Sequence, residues 1–579
     1  MASTIDTYLL LRAFTDELTR CGMRAACTSP GSRSAPLVLS LARESRLRCF
    51  SHVDERCAGF FALGLAKASG LPVAVACTSG TAVAELLPAA VEAREARVPL
   101  LLLSADRPAE LRENGAGQAI DQLGVFGGAA KWFFEVSVHE AGEAQLRWMR
   151  TLACRAYWTA LEGRAGAVHL NFPLYEPLVT DEPLPQDPTG RADGAPYVAR
   201  PPSVPGAEDA LRQLSGLLSG SSRGVLVAGR HERPTELATA AAAFAEASGW
   251  PLLADPMSGA RRGPAAIAHY DALLRDERFA EAMRPDVILR VGDLPVSKPL
   301  RGWLAGLGEV RQVALDPEGA WQDPDSLISH SLALDPGRAL AHLAREAAAG
   351  APAEDWLEGW RSADERAGAA IRTVVGDRGL SEPAVAMELG VLLPAEATLF
   401  VASSMPVRDI ETFWPARGDP PRVLCNRGAN GIDGTVSSAF GAAAEGPGPV
   451  VLLIGDVALA HDIGGLLAAG RLGLGLTIVL IDNGGGGIFD FLPVAGAEMA
   501  REPNLYSTHI ATPTGLDFSR AASLYGLAHE RVEDVQGLRT ALERALSGGG
   551  SGIIEVRGER GANVALHRGV WAAVSAALA

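Results

Sequence analysis

Apolar positions along this chain follow two recurrent patterns. Short unbroken runs, such as "PVAVAC", "VPLLLLS", "GVLVAG", "DVILRV" and "PVVLLIG", alternate with longer segments whose apolar residues recur every three to four positions. The runs read as strands buried on both faces and the periodic segments as crossover helices. The predicted fold class is therefore α/β with mainly parallel sheets. The first 175 residues predict a helix over about 5–20, a strand ending at Cys27, the loop "TSPGSRSAP" and a second helix. The strand "LRCFSHV" then gives way to a helix burying Phe60, Phe61, Leu63 and Leu65, followed by "PVAVACT", a helix over about 83–95 and "VPLLLLSADRP".

Residues 178–206, rich in proline, glycine and acids, interrupt the alternation and read as a linker. A second α/β region carries "GVLVAGR", "PLLADP", "DVILRVGD" and "VRQVALDP". An alanine-rich, charged stretch over about 337–375 leads into a third, with "ATLFVASSMPVRD", "RVLCNRGANGIDG", "PVVLLIGDVALAHD", "LTIVLIDNGGGG" and "SGIIEVRGE". Three α/β domains are expected, at 1–180, 207–345 and 375–579. The first and third resemble each other in pattern, not in letters.

Charge and cysteine usage narrow the function by exclusion. With 52 basic and 68 acidic residues the net charge is −16, which argues against a general nucleic-acid binder. Any site for anions must be built from local cations working against that field. The seven cysteines, Cys21, Cys27, Cys49, Cys57, Cys77, Cys154 and Cys425, form no CxxC pair and fit reduced core thiols of a cytoplasmic protein. The N-terminal stretch has early acids and a helical period, unlike a signal peptide. No uninterrupted apolar run reaches membrane-spanning length, the longest candidate being broken by Asp456, His461 and Asp462.

Chemistry concentrates in the third region. "VVLLIGD" is a strand ending at Asp456, a helix is expected at about 461–471, and "LTIVLIDN" is a strand ending near Asn483. In such a unit Asp456 and Asn483 share the carboxyl edge of the sheet, where α/β folds bind ligands. A carboxylate and an amide oxygen are hard donors suited to Mg²⁺ with phosphate oxygens (Mn²⁺ being an alternative), and the glycines at 484–487 allow close approach of a phosphate. Asp, Asn and Gly are also ordinary turn residues. Walker-A, GxGxxG and GxSxG motifs are absent. His461 reads as a capping or lining residue. Glu55, where "LRCFSHV" meets the apolar helix, has the bland reading of a first-turn acid.

The "GD" of 455–456, followed after a helix and strand by "DNGG", resembles the diphosphate-binding motif of thiamine diphosphate enzymes. That resemblance implies a pyrimidine-binding, a middle and a diphosphate-binding domain in this order. It implies that Glu55 contacts the aminopyrimidine ring as part of an acid–base relay that activates the cofactor. Asp456, Asn483 and Gly485 would hold the metal and diphosphate. It also implies a homodimer or homotetramer whose active sites lie between subunits.

The stretches "TSPGSRSAPL", "SHVDERCAGFFALGLAK", "TSGTAVAELLPAAVEA", "LSADRPAELRENGAGQAIDQ" and "NRGANGIDGTVSSAFG" resemble one branch of that family. This branch decarboxylates 2-oxoglutarate and adds the four-carbon product to isochorismate in menaquinone biosynthesis. Both substrates carry two carboxylates, for which arginine's planar fork is suited. The resemblance implies substrate contacts from Ser32, Arg33, Arg107, Gln118, Lys298, Ser404, Arg408 and Arg427, all but Lys298 expected in loops after strands. It further implies that Ile432 props the cofactor and Phe489 lines the pocket, although ordinary core packing is the alternative for both. Gly117 stands where this branch has an asparagine. Two other readings stay open: a thiamine-dependent enzyme acting on a simpler 2-oxo acid, such as an acetolactate synthase, and a binding protein that has lost catalysis.

Overall fold

The apolar runs form strands because each is closed to solvent on both faces by helices on either side. A computed structural model describes residues 3–137, 139–200, 207–232, 236–347 and 354–579, and among these three sheets form, all parallel. The first contains β1 (Ala25–Thr28), β2 (Arg48–Ser51), β3 (Val73–Cys77), β4 (Leu100–Asp106), β5 (Ala130–Glu135) and β6 (Ala167–Pro173), in the order β2-β1-β3-β4-β6-β5. The second contains β7 (Gly224–Ala228), β8 (Leu252–Ala254), β9 (Val287–Val291), β10 (Arg311–Leu315) and β11 (His330–Leu332), in the order β11-β10-β9-β7-β8. The third contains β12 (Thr398–Val401), β13 (Arg422–Cys425), β14 (Val450–Gly455), β15 (Thr477–Asp482), β16 (Ala528–Val532) and β17 (Gly552–Arg557). Its order, β13-β12-β14-β15-β17-β16, repeats that of the first sheet strand for strand. The likeness of pattern between the first and third regions is thus a likeness of topology. Each reverses its winding between its first and third strands, and ligands bind in α/β sheets beyond the carboxyl ends at such a reversal.

The described chain divides into two compact units. One holds the first sheet together with 426–446 and 461–474; the other holds the second and third sheets. The first unit is packed around Phe14, Leu37, Leu101, Tyr157 and Phe172, all buried. In the second unit a continuous core runs from Tyr270 and Trp303 through Trp360 to Phe413 and Trp414, so its two sheets share one interior.

Of the stretch expected to be a linker, 201–206 lie outside the described residues, and 178–200 contain no helix or strand. These residues are fastened to the first unit. The Tyr8 hydroxyl donates to the Leu178 carbonyl at 3.1 Å, and Arg150 Nη2 donates to Asp187 Oδ2 at 2.7 Å. The helical stretch before the third sheet forms Pro336–Ala347 and Glu354–Gly376; 348–353 lie outside the described residues. No helix among the described residues is long and apolar enough to cross a membrane.

Candidate active site

In the second unit, β14 and β15 are adjacent and parallel, with Gly455 opposite Ile481. Asp456 and Asn483 follow directly at the carboxyl edge. The helix expected at about 461–471 forms as a tight turn over Ile463–Leu466 and a helix over Leu467–Leu472, and a further helix precedes it, Asp456–His461, of which Asp456 is the first residue. Its carboxylate therefore meets free amides at a helix start, and accepts from the backbone of Val457 and Gly485. Burial outweighs those donors and, with the charge of Asp482, pushes Asp456 up to about 6. Two oxygens here are buried with no hydrogen-bond partner, Oδ2 of Asp456 and Oδ1 of Asn483. Leaving buried oxygens unpaired costs roughly 1–3 kcal/mol each. A hard divalent cation would satisfy both and hold Asp456 ionised, so the donor set fits the metal that the sequence motif implies.

Asn483 is turned by a neighbour. Its Nδ2 donates to Oε1 of Glu382 at 2.8 Å. Glu382 is buried, and that burial, with the charges of Asp409 and Asp456, pushes its carboxyl up to about 8. The glycine run is tight as well as flexible. Gly485 has φ 131°, and a Cβ there would lie 2.5 Å from the Ala511 carbonyl oxygen, so glycine alone is accommodated. Phe489 is 37% exposed and leans its ring over Gly486, where a Cβ would meet it at 2.8 Å.

Ser404 follows β12 at the reversal point of the third sheet, with φ 77° and ψ −133°. A non-glycine residue in that region carries strain of about 1–3 kcal/mol, which tends to persist where function requires it. Arg408 lies in the helix Met405–Phe413, not in a loop as the sequence suggested, because Ser404 starts the helix immediately with proline at its second position. Its Nη1 donates to the Ser404 carbonyl at 2.6 Å. Lys298, exposed, opens the helix Lys298–Gly306, with Ser297 as N-cap.

In the first unit, the loops after β1, β3 and β4 meet at Ser79. Arg107 Nη1 donates to Ser79 Oγ, and Gln118 Nε2 donates to the Ser79 carbonyl at 3.1 Å. Arg33 is buried, donating through Nη1 to the Leu174 carbonyl and through Nη2 to Glu176, both at 2.8 Å. Its Nε is left without a partner. Burial, and then the charge of Arg33, lower the pKa of Arg107. The carboxylates of Asp106 and of Glu176, the partner of Arg33, offset part of that lowering. Gly31 makes the loop possible: a Cβ would lie 2.3 Å from that of Thr78. Ser32 is exposed beside it.

Glu55 is the first residue of the helix Glu55–Ser69, but Asp54 is its N-cap, accepting from the Cys57 amide at 3.1 Å. The capping duty is thus discharged without Glu55. Burial first, then the charges of Asp54 and Glu85, raise the Glu55 pKa. Arg427, Ile432 and their neighbours belong to this unit. The loop is fixed by Glu92, whose carboxylate accepts from the amides of Gly428 and Ala429 at 2.8 and 2.7 Å. The Ile432 carbonyl accepts from Thr435 Oγ1 at 2.9 Å. A Cβ on Gly434 would fall 1.8 Å from Phe60, so the loop lies directly on the Glu55 helix.

Residues 10–125 match the family described as "Thiamine pyrophosphate enzyme, N-terminal TPP binding domain", 213–401 "Middle domain of thiamine pyrophosphate" and 407–556 "Thiamine pyrophosphate enzyme, C-terminal TPP binding domain". A protein of Chloroflexus aurantiacus named 2-succinyl-5-enolpyruvyl-6-hydroxy-3-cyclohexene-1-carboxylate synthase is 43% identical over 98% of this chain and 96% of its own. Proteins of the same name from Geobacillus kaustophilus and Listeria monocytogenes are 43% and 40% identical, covering 100% and 98% of this chain and 99% and 97% of theirs. The chain belongs to this family of thiamine pyrophosphate enzymes.

It is accordingly a thiamine diphosphate-dependent enzyme that forms carbon–carbon bonds, acting on small molecules. Within this enzyme the structure brings together Arg107 and Gln118 at Ser79, places Arg33 against Leu174 and Glu176, and sets Asp456, Asn483 and Gly485 at the third sheet. Sequence reasoning passed over Ser79, inside "TSGTAV", and Glu382, which reads as an ordinary acid in a first helical turn. Nothing in the local letters announces that these residues meet Gln118 and Asn483, 39 and 101 positions away.

Proposed function

We propose that this enzyme decarboxylates 2-oxoglutarate and joins the four-carbon remainder to isochorismate. The products are CO₂ and 2-succinyl-5-enolpyruvyl-6-hydroxy-3-cyclohexene-1-carboxylate, in menaquinone biosynthesis. The observation that carries this reading is that Arg33 and Arg107, one buried and one half-buried, both lie in loops just beyond the carboxyl ends of strands of the first sheet, in a chain of net charge −16. A small monocarboxylic substrate has no use for such a pair, whereas a dicarboxylate does.

In this reading Asp456, Asn483 and the backbone of Gly485 would hold Mg²⁺ (or Mn²⁺) together with the cofactor's diphosphate. When bound, thiamine diphosphate supplies the carbon nucleophile that accepts a 2-oxo acid and stabilises the charge left by loss of CO₂. Glu55 holds and exchanges a proton at the pyrimidine ring, a task helped by its raised pKa. Ile432 supports the cofactor and Phe489 lines the pocket. Arg408, Arg427 and Ser404, with Lys298, orient 2-oxoglutarate. Arg33, Arg107 and Gln118, with Ser32, orient isochorismate. The enzyme works in the cytoplasm as a homodimer or homotetramer with active sites between subunits.

The test is to mix the protein with Mg²⁺, thiamine diphosphate and 2-oxoglutarate, add isochorismate and follow its loss of absorbance. The expected result is loss dependent on all three. Turnover of pyruvate faster than that of 2-oxoglutarate would favour an acetolactate-type enzyme instead.

A further inference from the structure

Lys298 and Arg408 stand on helices attached to different sheets of the second unit, yet a single carboxylate lies between those helices. Asp271 belongs to the four-residue helix Tyr270–Leu273 and is 3% exposed. Its Oδ1 accepts from Ser297 Oγ at 2.6 Å, and Ser297 is the N-cap of the Lys298 helix. Its Oδ2 accepts from Thr412 Oγ1 at 3.1 Å. Thr412 lies four residues beyond Arg408, on the same helical face.

The neighbouring contacts reinforce this bracket. The Tyr270 hydroxyl donates to the Glu411 carboxylate, and Arg261 Nη1 donates to the carbonyls of Glu411 and Trp414 at 2.9 and 3.0 Å. Asp255 Oδ2 accepts from the Val296 amide at 3.2 Å, two residues before Lys298. Arg275 contacts Asp271 Oδ2 at 3.1 Å, a further partner for the buried carboxylate. Apolar packing would join two helices without the cost of burying a charge. A carboxylate with hydroxyl partners on two sides instead fixes their separation directionally.

We propose that Asp271 is a positioning residue that sets the spacing of Lys298 and Arg408, so that both cations grip one 2-oxo dicarboxylate. This rests on the reading above, in which Lys298 and Arg408 contact that substrate. Asp271 itself touches neither substrate nor cofactor. It acts through Ser297 and Thr412.

Steady-state kinetics of the cofactor-loaded enzyme tests this with 2-oxoglutarate and with pyruvate, which lacks the distal carboxylate. Asp271→Ala should raise KM for 2-oxoglutarate roughly 10- to 100-fold, the scale of a misplacement of about an ångström, with a much smaller change in kcat. Residual turnover of pyruvate should not change. Asp271→Asn, whose amide oxygen can accept from Thr412 and Arg275 while its nitrogen donates to Ser297, should restore most of the loss. Thr412→Val cuts one arm with little change of shape and gives the same KM effect should Asp271→Ala fold poorly. Adding Lys298→Ala to Asp271→Ala should cost little more. Equal loss with both substrates, or fully additive double variants, would overturn the bracket while leaving the substrate reading intact. If Lys298→Ala and Arg408→Ala themselves left KM for 2-oxoglutarate unchanged, the substrate reading would fall and the bracket with it.

Discussion

The amide nitrogen of Asn483 donates to Glu382 at 2.8 Å, which fixes the amide and leaves its Oδ1 buried without a partner, as is Oδ2 of Asp456 at the end of the adjacent strand. An amide has one acceptor and one donor face, and a buried acceptor fixed on the donor face decides which way it points. The expected consequence is that Glu382→Ala weakens metal binding by roughly 10- to 100-fold, as loss of an outer-shell partner does. Glu382→Gln, which still presents an acceptor, should lose much less. Titration of the protein with Mn²⁺ and thiamine diphosphate, followed by electron paramagnetic resonance, measures this without turnover. Equal Mn²⁺ affinity in Glu382→Ala would show that the amide needs no such anchor.

Asp456→Ala should reduce cofactor affinity far more than it reduces thermal stability. The carboxylate is buried with one oxygen unpaired, so its removal relieves a desolvation cost at the same time as it removes a ligand. Calorimetric titration with thiamine diphosphate and Mg²⁺, set beside a melting curve of the cofactor-free variant, separates the two. Normal cofactor affinity would remove Asp456 from the metal site.

The topology was legible in the sequence because buried parallel strands announce themselves as apolar runs such as 450–455 and 477–481, bounded by Asp, Asn and Gly. The strand-end positions of Asp456, Asn483 and Gly485 were legible for the same reason. Arg408, in "SSMPVRD" with its proline, was expected in a loop that follows a strand. The strained Ser404 puts that proline at the second position of a helix, where it is tolerated. Ser79, Glu382 and Asp271 meet partners remote in sequence, and no local period or spacing encodes such meetings.

Acid should destabilise the first unit through two buried histidines. Burial holds His52 down to about 4 and His169 down to about 3, against 6.5 in an unfolded chain. Both are therefore neutral when folded, while the unfolded chain takes up protons below pH 6.5. Their contribution is present above that pH and is lost as pH falls towards 4 and 3, by about 1.4 kcal/mol per histidine per pH unit. Melting curves from pH 7 to 4.5 should show a shallower acid decline for His169→Gln than for the parent. Parallel declines would mean that His169 does not govern this window.

Gly117 is exposed, and a Cβ there meets nothing within 4 Å. Gly117→Asn should therefore fold normally and place an amide near Gln118. A lowered KM for isochorismate, at unchanged KM for 2-oxoglutarate, is the expected outcome. A raised KM for 2-oxoglutarate would assign this loop to the other substrate.

Separate cation groups are proposed to hold the two substrates. A single turnover with 2-oxoglutarate alone, quenched rapidly and assayed for CO₂, isolates the first half of the reaction. Arg107→Ala should release CO₂ at close to the parent rate and fail only when isochorismate must be captured. Arg408→Ala and Arg427→Ala should slow CO₂ release itself by roughly 10- to 150-fold, the scale of one buried charge-assisted contact. Slow CO₂ release in Arg107→Ala, with parent-like release in Arg408→Ala and Arg427→Ala, would contradict the account and reverse the two assignments.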